Sequence, residues 1–392
     1  MLNAARIHAD TAAVTVVSDT KGITDWALRY FGGWWNATAV PVPADHNSIA
    51  VGGALLRADV DSTRLARVAA LVGDGDHDEV QYANARTLVA RHEGGAIYAT
   101  QPDERLAYHY DPAASRLVIV GAHAEPVAVA AARLARELIR GQLLRAGFHI
   151  LHASCVVRAG RALLTFGPKG AGKTTTALLL ARQGFDLLAN DRVFIRPQDG
   201  GLLILPWPSA AAIGFGLLDS TGLYEPLRAR VLEGEQMHPT QDQRVTDALP
   251  AGSTKPIWNA QGKELKPQLF PDQLSSLLGM RLAPRAHAAA LLFPQVDRGT
   301  EPHMLEAPRA LGEDDFFNSK TEDRYPDIFR LTPTKASPAT DLADRLAQLP
   351  RRTLVLTHDS GRSAELLAKT AAGLLSAQNA PSAPDREDLH AP

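Results

Sequence analysis

The chain has 392 residues, a length that predicts two or three domains. Hydrophobic residues make up 45% and charged residues 21%, which is near the globular average and is enough apolar material for a core. The formal net charge of −2 gives no global electrostatic case for binding nucleic acid or an anionic membrane. The single cysteine, Cys155, excludes an internal disulfide, fits a reducing compartment and is expected to be a small buried hydrophobe.

The start of the chain lacks the charged-then-apolar pattern of a secretory signal. No apolar run in the sequence approaches the ~20 residues that cross a bilayer. We therefore expect a cytoplasmic protein that binds neither membrane nor nucleic acid. The sequence leaves the oligomeric state open, a homo-oligomer included.

Residues 1–122 are predicted to form a β-rich α+β accessory domain with short helices. Apolar runs bounded by turn residues predict strands at 12–17, 48–51 and 117–120. Nothing in these residues indicates a known family, so the role of the accessory domain stays open.

A helix over 126–145 is the expected join between the accessory domain and the remainder of the chain. Pro126 suits the first turn of a helix, and Gly147 is a typical end. One apolar stripe recurs every three or four residues, at Val127, Ala131, Leu134 and Leu138.

Residues 123–376 are predicted to form an α/β domain with a phosphate-binding loop, followed by a disordered tail at 377–392. Apolar runs predict strands at 154–157, 162–166, 185–189, 193–195, 202–205, 288–293 and 353–357. Apolar periodicity predicts helices at 174–182, 210–219, 341–349 and 363–376. Turns are predicted at 158–161 and at Gly200–Gly201.

The stretch from Gly167 to Thr174 reads GPKGAGKT and fits the Walker A pattern G-x-x-x-x-G-K-[ST]. It stands between a predicted strand and a predicted helix, which is the context that a P-loop requires. Glycines permit backbone angles that aim several N–H groups inward, and the helix N-terminus adds partial positive charge. The alternative is a glycine-rich turn from strand to helix that binds nothing.

A nucleotide-binding P-loop assigns a role to each residue of this stretch. Lys173 would reach the β- and γ-phosphates of ATP, and the Thr174 hydroxyl would bind Mg²⁺. The predicted nucleotide-binding residues are Gly167, Pro168, Lys169, Gly170, Ala171, Gly172, Lys173, Thr174 and Thr175.

A second motif, Asn190-Asp191, ends the strand that follows the loop helix. An acidic residue at the end of a strand beside a phosphate loop can hold Mg²⁺ or take a proton. This short spacing, together with the preceding segment His152-Ala-Ser-Cys, resembles the HPr kinase/phosphorylase family and its relatives encoded with peptide-modifying enzymes. That family shows a His-led strand, then G-x-S-G-x-G-K-[ST], then a helix and a strand that ends in paired aspartates. The resemblance is specific over 148–196 and weaker to about 376.

The resemblance implies an HPr-kinase-like fold for the P-loop domain and a serine or hydroxyl kinase that uses ATP and Mg²⁺. It implies that Thr174 and Asp191 place the metal ion, and that His152 lies near the phosphates and the acidic position. Without the resemblance, His152 reads as a partly buried strand histidine bonded to backbone. The implied catalytic residues are Asp191, His152 and Lys173.

Two residues depart from the family pattern. Asn190 stands where the family has its proton-accepting aspartate, and a neutral amide cannot accept a proton near pH 7. Asp191 then acts as the base alone, or catalysis depends on positioning and electrostatics, or nothing is transferred. Lys169 stands where the family usually has serine, and it either adds charge for a phosphate or faces water.

Three further features have two interpretations each. Trp207 lines a substrate pocket or seals a domain edge. The lysines Lys255, Lys263 and Lys266 clamp an anionic group or lie in a solvated loop. The acidic segments at 313–317 and 322–326 present carboxylates to a basic substrate or are exposed charge.

The sequence therefore predicts an ATP- and Mg²⁺-dependent phosphotransferase that moves the γ-phosphoryl group to a hydroxyl. The acceptor is a serine of a peptide or small protein by resemblance alone, or a small-molecule alcohol. The alternative is a non-catalytic nucleotide-binding regulatory module or an ATPase, which Asn190 favours.

Overall fold

The computed structural model describes residues 2–42, 53–198, 201–317, 325–333 and 340–376. The predicted strand at 48–51, the turn residue Gly200, much of the acidic segment 322–326 and the predicted disordered tail 377–392 lie outside the described residues. Within the described residues, no helix is long and apolar enough to cross a bilayer. The fold is mixed α/β, with two large mixed sheets.

The first sheet is built from the residues before position 122. Its strands are β1 (Asn3–Ala9), β2 (Ala12–Ser18), β3 (Thr38–Ala39), β4 (Ala54–Val60), β5 (Asp78–Tyr82), β6 (Ala85–Arg91), β7 (Ile97–Gln101), β8 (Leu106–Asp111) and β9 (Arg116–Gly121). They lie in the order β3-β1-β2-β4-β9-β8-β7-β6-β5, and the pairs β2–β4 and β4–β9 are parallel. The helices of this part are α1 (Lys21–Trp35), α2 (Ser62–Gly73) and α3 (Ala124–Arg145).

Alternating side chains of the first sheet are buried on opposite faces, as the pleat of a strand requires. In β9, Leu117 and Ile119 join the core under α1 and α3, whereas Val118 and Val120 join the smaller core under α2. Both faces of the sheet are therefore covered by helices over this strand.

The helix α3 confirms the predicted helix at 126–145, and it begins two residues earlier. It ends in the left-handed turn that Gly147 predicted, with Gly147 at φ 84°. The N–H of Phe148 donates to the carbonyl of Leu143 at 3.0 Å, and this closes the last turn.

The second sheet is built from strands after position 148. Its strands are β10 (His149–Leu151), β11 (Ser154–Arg158), β12 (Arg161–Thr165), β13 (Asp186–Ala189), β14 (Val193–Gln198), β15 (Gly201–Pro206), β20 (Ala286–Val296), β21 (His303–Met304) and β22 (Arg351–Leu356). Two small ladders stand apart from it, β16 (Ala211–Ala212) with β19 (Gln268–Leu269) and β17 (Ile257–Trp258) with β18 (Glu264–Leu265). The helices are α4 (Lys173–Arg182), α5 (Phe215–Ser220), α6 (Tyr224–Leu232), α7 (Gln243–Ala248), α8 (Pro271–Ser276), α9 (Thr340–Ala347) and α10 (Ser360–Ser376).

The hairpin of β11 and β12 confirms the predicted turn at 158–161. The central residues Ala159 and Gly160 have φ of 51° and 75°. Positive φ at both positions matches the right-handed twist of the flanking strands. This hairpin fixes where β12 ends, and therefore where the glycine loop begins.

The predicted helix at 210–219 is wrong in its first half. Residues 211–212 form β16, which pairs with β19, and the helix α5 begins only at Phe215. The strand depends on a partner more than fifty positions away in sequence, which local periodicity cannot indicate.

Candidate functional site

A cleft of about 1030 Å³ opens at one edge of the second sheet. Strand β12 pairs in parallel with β20, and β20 pairs in parallel with β22, so the carboxyl ends of all three reach this edge. Strand β13 runs the same way as β12, because each is antiparallel to β11. Ligands of α/β sheets bind in crevices outside the carboxyl ends of the strands, which makes this cleft the candidate site.

The glycine loop between β12 and α4 forms the floor of the cleft. Gly170 and Gly172 have φ of 88° and 101°, in the left-handed region that favours glycine. A Cβ atom on Gly172 would lie 3.1 Å from Cγ2 of Val296, whereas a Cβ on Gly170 would meet nothing within 4 Å. The N–H of Ala171 donates to the carbonyl of Pro168 at 3.2 Å and closes the turn. Glycine is therefore required for conformation at both positions and for space at Gly172.

Lys173 begins α4 and is 9% exposed. Its Nζ donates to the carbonyls of Gly167 at 2.5 Å and Pro168 at 3.3 Å, so the ammonium lies over its own loop. The Oγ of Ser154 donates to the carbonyl of Lys173 at 2.9 Å and ties the start of α4 to β11. A cation and the positive end of a helix dipole therefore meet at this cleft.

Most of the predicted nucleotide-binding residues line the cleft. The lining includes Pro168, Lys169, Gly170, Gly172, Lys173, Thr174 and Thr175. Gly167 and Ala171 belong to the loop without being part of that lining. No acidic residue lies in the first turn of α4, all of which is described, so nothing there opposes an anion.

Asp191 and His152 lie together on one wall of the cleft. Nε2 of His152 is 3.0 Å from Oδ1 of Asp191, and both residues are part of the lining. The backbone N–H of His152 donates to the carbonyl of Asp315 at 3.0 Å. The main chain of His152 is therefore bonded to backbone, whereas its imidazole ring is bonded to the carboxylate of Asp191.

The carboxyl group of Asp191 is about half exposed, at 49%. Burial alone would raise its pKa, but the hydrogen bond from His152 and the charges of His152, Arg192 and Lys173 outweigh burial and hold the pKa below its usual value. Nε of Arg192 lies 3.6 Å from Oδ2 of Asp191. Asp191 is therefore a carboxylate held in its charged form beside the glycine loop.

Asn190 also lines this wall and is 8% exposed. Its Oδ1 accepts a hydrogen bond from Oγ of Ser209 at 3.5 Å. Asn190 thus lines the cleft beside Asp191.

The residues present are compatible with a Mg²⁺ ion that arrives with a nucleotide. Within the part of the chain that the structure describes, no group of three or more His, Cys, Asp and Glu side chains is arranged to hold a metal ion. Proteins commonly hold Mg²⁺ through one or two carboxylates together with substrate phosphates. Thr174 and Asp191 line the same cleft and supply the hydroxyl and carboxylate oxygens for such a site.

Trp207 lies in the core rather than in the cleft. It is 5% exposed, its ring stacks on Phe194 with centroids 5.1 Å apart, and the guanidinium of Arg136 lies 5.3 Å from it. This favours the interpretation that Trp207 seals an edge. Cys155 is free and buried, which confirms the prediction of a small buried hydrophobe, and burial raises the pKa of its thiol.

The residues of the acidic and lysine-rich segments differ in whether they reach the cleft. Asp315 is 2% exposed and accepts from the guanidinium of Arg309 at 2.9 Å, so this carboxylate is structural. Lys266 lines the cleft and pairs with Glu264 at 3.1 Å, whereas Lys255 is exposed outside the lining.

Several cleft residues were not predicted from the sequence. They are Arg192, Ala212, Gly214, Gly216, Leu217, Ser220, Pro256, Trp258, Glu264, Val296, Arg298, Thr357, His358 and Ser360. The signal for Arg298 and His358 was their place just after two predicted strands, but it has meaning only once those strands are known to be parallel neighbours of β12. The residues from α5 carried no comparable signal, whereas the β17–β18 hairpin lies within the lysine-rich stretch of Lys255, Lys263 and Lys266.

The chain was compared with protein families, curated proteins and solved structures. No protein-family model matches the chain, and no curated protein matches it. Among solved structures, the chain is similar to the Hpr(Ser) kinase/phosphatase from Coxiella burnetii, with a TM-score of 0.25 and 11% sequence identity. The match covers 58% of this chain and 94% of that one. A likeness at that TM-score does not assign a function.

Proposed function

We propose that the protein is an ATP- and Mg²⁺-dependent phosphotransferase that moves the γ-phosphoryl group to a hydroxyl. One observation carries the proposal: the glycine loop with Lys173 and the His152–Asp191 pair line a single cleft. A phosphate cradle and a charged carboxylate placed together are the parts that phosphoryl transfer needs, because this reaction depends mainly on positioning and electrostatic stabilisation.

The loop residues from Gly167 to Thr175 hold the phosphates in this proposal. Backbone N–H groups of the loop and the first turn of α4 face the phosphate oxygens, and Nζ of Lys173 moves from its loop carbonyls to the transferred phosphate. Thr174 and Asp191 hold Mg²⁺, which supplies neutralising charge. Lys169 is exposed at the rim, where its charge is solvated.

The proton of the acceptor hydroxyl goes to the His152–Asp191 pair. Asp191 has a lowered pKa, so its carboxylate is ionised at neutral pH but is a weak base. Nε2 of His152 is close enough to orient that carboxylate or to relay the proton. A serine of a peptide or small protein is the acceptor that the family resemblance favours, and a small-molecule alcohol is the other.

A second function, nucleotide binding without phosphoryl transfer, is supported by Asn190. Asn190 occupies the wall beside Asp191 and cannot accept a proton near neutral pH. In that case ATP binding would order the cleft for a protein partner, or ATP would be hydrolysed slowly without an acceptor.

The test of the nucleotide site is Lys173→Ala, with Lys169→Ala as the matched control on the same loop. Removing the buried ammonium should weaken Mg·ATP binding by at least about tenfold, as expected for lost bonds to a charged group. Removing the exposed ammonium of Lys169 should change the affinity for Mg·ATP less than about threefold. Calorimetric titration measures both affinities, and circular dichroism checks the fold.

An unchanged ATP affinity in Lys173→Ala would contradict the site. A separate assay with ATP labelled at the γ-phosphate distinguishes the two functions, because it shows whether the label is transferred, released or retained. Transfer to serine peptides or small alcohols supports the phosphotransferase. Tight binding without transfer, with slow hydrolysis or none, supports the second function.

A further inference from the structure

The strand ends at the cleft edge follow one line. Strand β13 leads to Asp191, the start of β11 follows His152, β12 leads to the glycine loop, and β20 and β22 come next. The His152–Asp191 pair therefore lies on one side of the loop. Arg298 and His358, which follow β20 and β22, lie on the other side.

The ends of β20 and β22 approach the glycine loop closely. A Cβ placed on Gly172 would lie 3.1 Å from Cγ2 of Val296 and 3.7 Å from Cδ1 of Leu356. Arg298 and His358 each follow those residues by two positions, and both line the cleft. This end of the cleft is thus continuous with the phosphate cradle.

Arg298 and His358 form a fixed polar pair in this end of the cleft. Nε of Arg298 donates to Nε2 of His358 at 3.0 Å, which orients the guanidinium plane while its other nitrogens keep their donors. Oγ of Ser360 donates to the carbonyl of Ser220 at 2.6 Å and ties the start of α10 to the end of α5. Both side chains are exposed, so a ligand ring in the cleft can stack on the guanidinium or imidazole plane.

We propose that this end of the cleft binds the nucleoside part of the nucleotide, with the base stacked on the guanidinium plane of Arg298. The inference rests on the proposed function. Along the row of strand ends β13, β11, β12, β20 and β22, a γ-phosphate that faces His152 and Asp191 leaves the ends of β20 and β22 for the other end of the nucleotide. Bases stack on guanidinium planes as they do on aromatic rings, and His358 holds the plane in place.

Trp258, on the β17–β18 hairpin, offers a rival stacking surface in the same cleft. Pro256, Trp258, Glu264 and Lys266 share the cleft face of the β17–β18 hairpin, because alternate residues of a strand face the same way. Trp258 is 57% exposed. The chain from β16 and β19 connects this hairpin to the neighbourhood of Ser209, whose hydroxyl donates to Asn190. Trp258 therefore lies on a hairpin that is joined through β19 and β16 to the segment of Ser209, and we assign it to the acceptor side of the cleft in this proposal.

The experiment compares Mg·ATP with inorganic tripolyphosphate, which has the phosphates but no base. Dissociation constants are measured by calorimetry for the wild type and for Arg298→Lys, His358→Ala, Trp258→Ala and Lys173→Ala. Arg298→Lys keeps the charge and removes the plane. We expect it to weaken Mg·ATP by about fivefold or more, within the roughly 5- to 150-fold range of a lost stacking partner, and to leave tripolyphosphate unchanged. His358→Ala should weaken Mg·ATP less than Arg298→Lys does. Trp258→Ala, which removes the rival aromatic ring, should change the affinity for neither ligand.

Two results would overturn the nucleoside site while leaving the phosphate cradle in place. One is an unchanged Mg·ATP affinity in Arg298→Lys when Lys173→Ala loses both ligands. The other is equal weakening of both ligands in Arg298→Lys, which would mean that Arg298 acts on phosphate alone. If the wild type binds neither ligand, the proposed function and this inference fall together.

Discussion

Asn190 and Asp191 are adjacent in sequence and line the same wall, but only one of them can be charged. Asp191 is held ionised by His152 and Arg192, whereas the amide of Asn190 is 8% exposed and accepts from Ser209. In the proposed phosphotransferase, Asn190 is therefore the residue of this wall that would limit proton acceptance.

Asn190→Asp tests that limit. Two adjacent carboxylates repel, which raises the pKa of one of them and makes it a better base. We expect phosphoryl transfer to accelerate by about tenfold or more, the lower range for a general base. Initial rates with labelled ATP measure the effect, and Asn190→Ala is the control. A rate that stays flat or falls would mean that proton acceptance is not limiting, or that Asn190 has another role.

His238 gives a residue-scale prediction about stability and pH. It is 8% exposed, and burial together with the charge of Arg29 lowers its pKa to about 4. In the unfolded chain a histidine has a pKa of about 6.5. As pH falls from 6.5 toward 4, His238 is protonated in the unfolded chain but stays neutral in the folded protein. The free energy of unfolding therefore decreases across this pH window.

The free energy of unfolding should therefore fall by about 2 kcal/mol more in the wild type than in His238→Asn between pH 7.5 and pH 5. Asparagine can accept the bond that Nδ1 of His238 receives from the hydroxyl of Thr240 at 2.8 Å, so the variant isolates the titration. Urea unfolding at both pH values measures the difference. Parallel losses in the two proteins would show that His238 does not titrate in this way.

At the scale of elements, the sequence predicted those strands and turns that are determined by neighbouring residues. The hairpin of β11 and β12 was predicted within one residue at each outer end, because its turn residues stand between two apolar runs. The glycine loop was predicted as a contiguous motif. Strand β16 was missed because its partner β19 is distant. Arg298 was missed as a cleft residue because its position in the cleft depends on the order of strands in the sheet. What failed in each case was a long-range pairing.

Helix α3 contacts the segment 325–333 too closely to admit a side chain at Gly141. A Cβ on Gly141 would lie 2.2 Å from the carbonyl oxygen of Leu331, and the guanidinium of Arg145 donates to the same oxygen at 2.7 Å. Gly141→Ala should therefore lower the free energy of unfolding by about 1–3 kcal/mol, as overpacking does.

The matched control is Gly373→Ala in helix α10, where a Cβ would meet nothing within 4 Å. That variant should gain up to about 1 kcal/mol from helix propensity. Urea unfolding compares the two alanine variants with the wild type. Equal stability of all three proteins would contradict the close contact between α3 and Leu331.

At the scale of the whole molecule, the two sheets share a buried core. Trp34 and Trp35 at the end of α1 donate their indole N–H groups to the carbonyls of Leu187 at 3.2 Å and Pro206 at 3.0 Å in the second sheet. One cluster of buried side chains includes residues of both sheets. The domain division at residue 122 stays a prediction from sequence, and the composition of α1 gave no sign that its tryptophans reach the other sheet.

A shared core predicts that the two sheets unfold together. In urea, tryptophan fluorescence and far-ultraviolet circular dichroism should follow one coincident transition. Trp35→Phe keeps an aromatic ring in the core but leaves the carbonyl of Pro206 without its donor, so both probes should shift together by about 1–2 kcal/mol. The control is Trp258→Phe on the exposed hairpin, which should shift neither. Two separate transitions, or a shift seen by one probe only, would mean that each sheet folds on its own and that the contacts of α1 join two independent units.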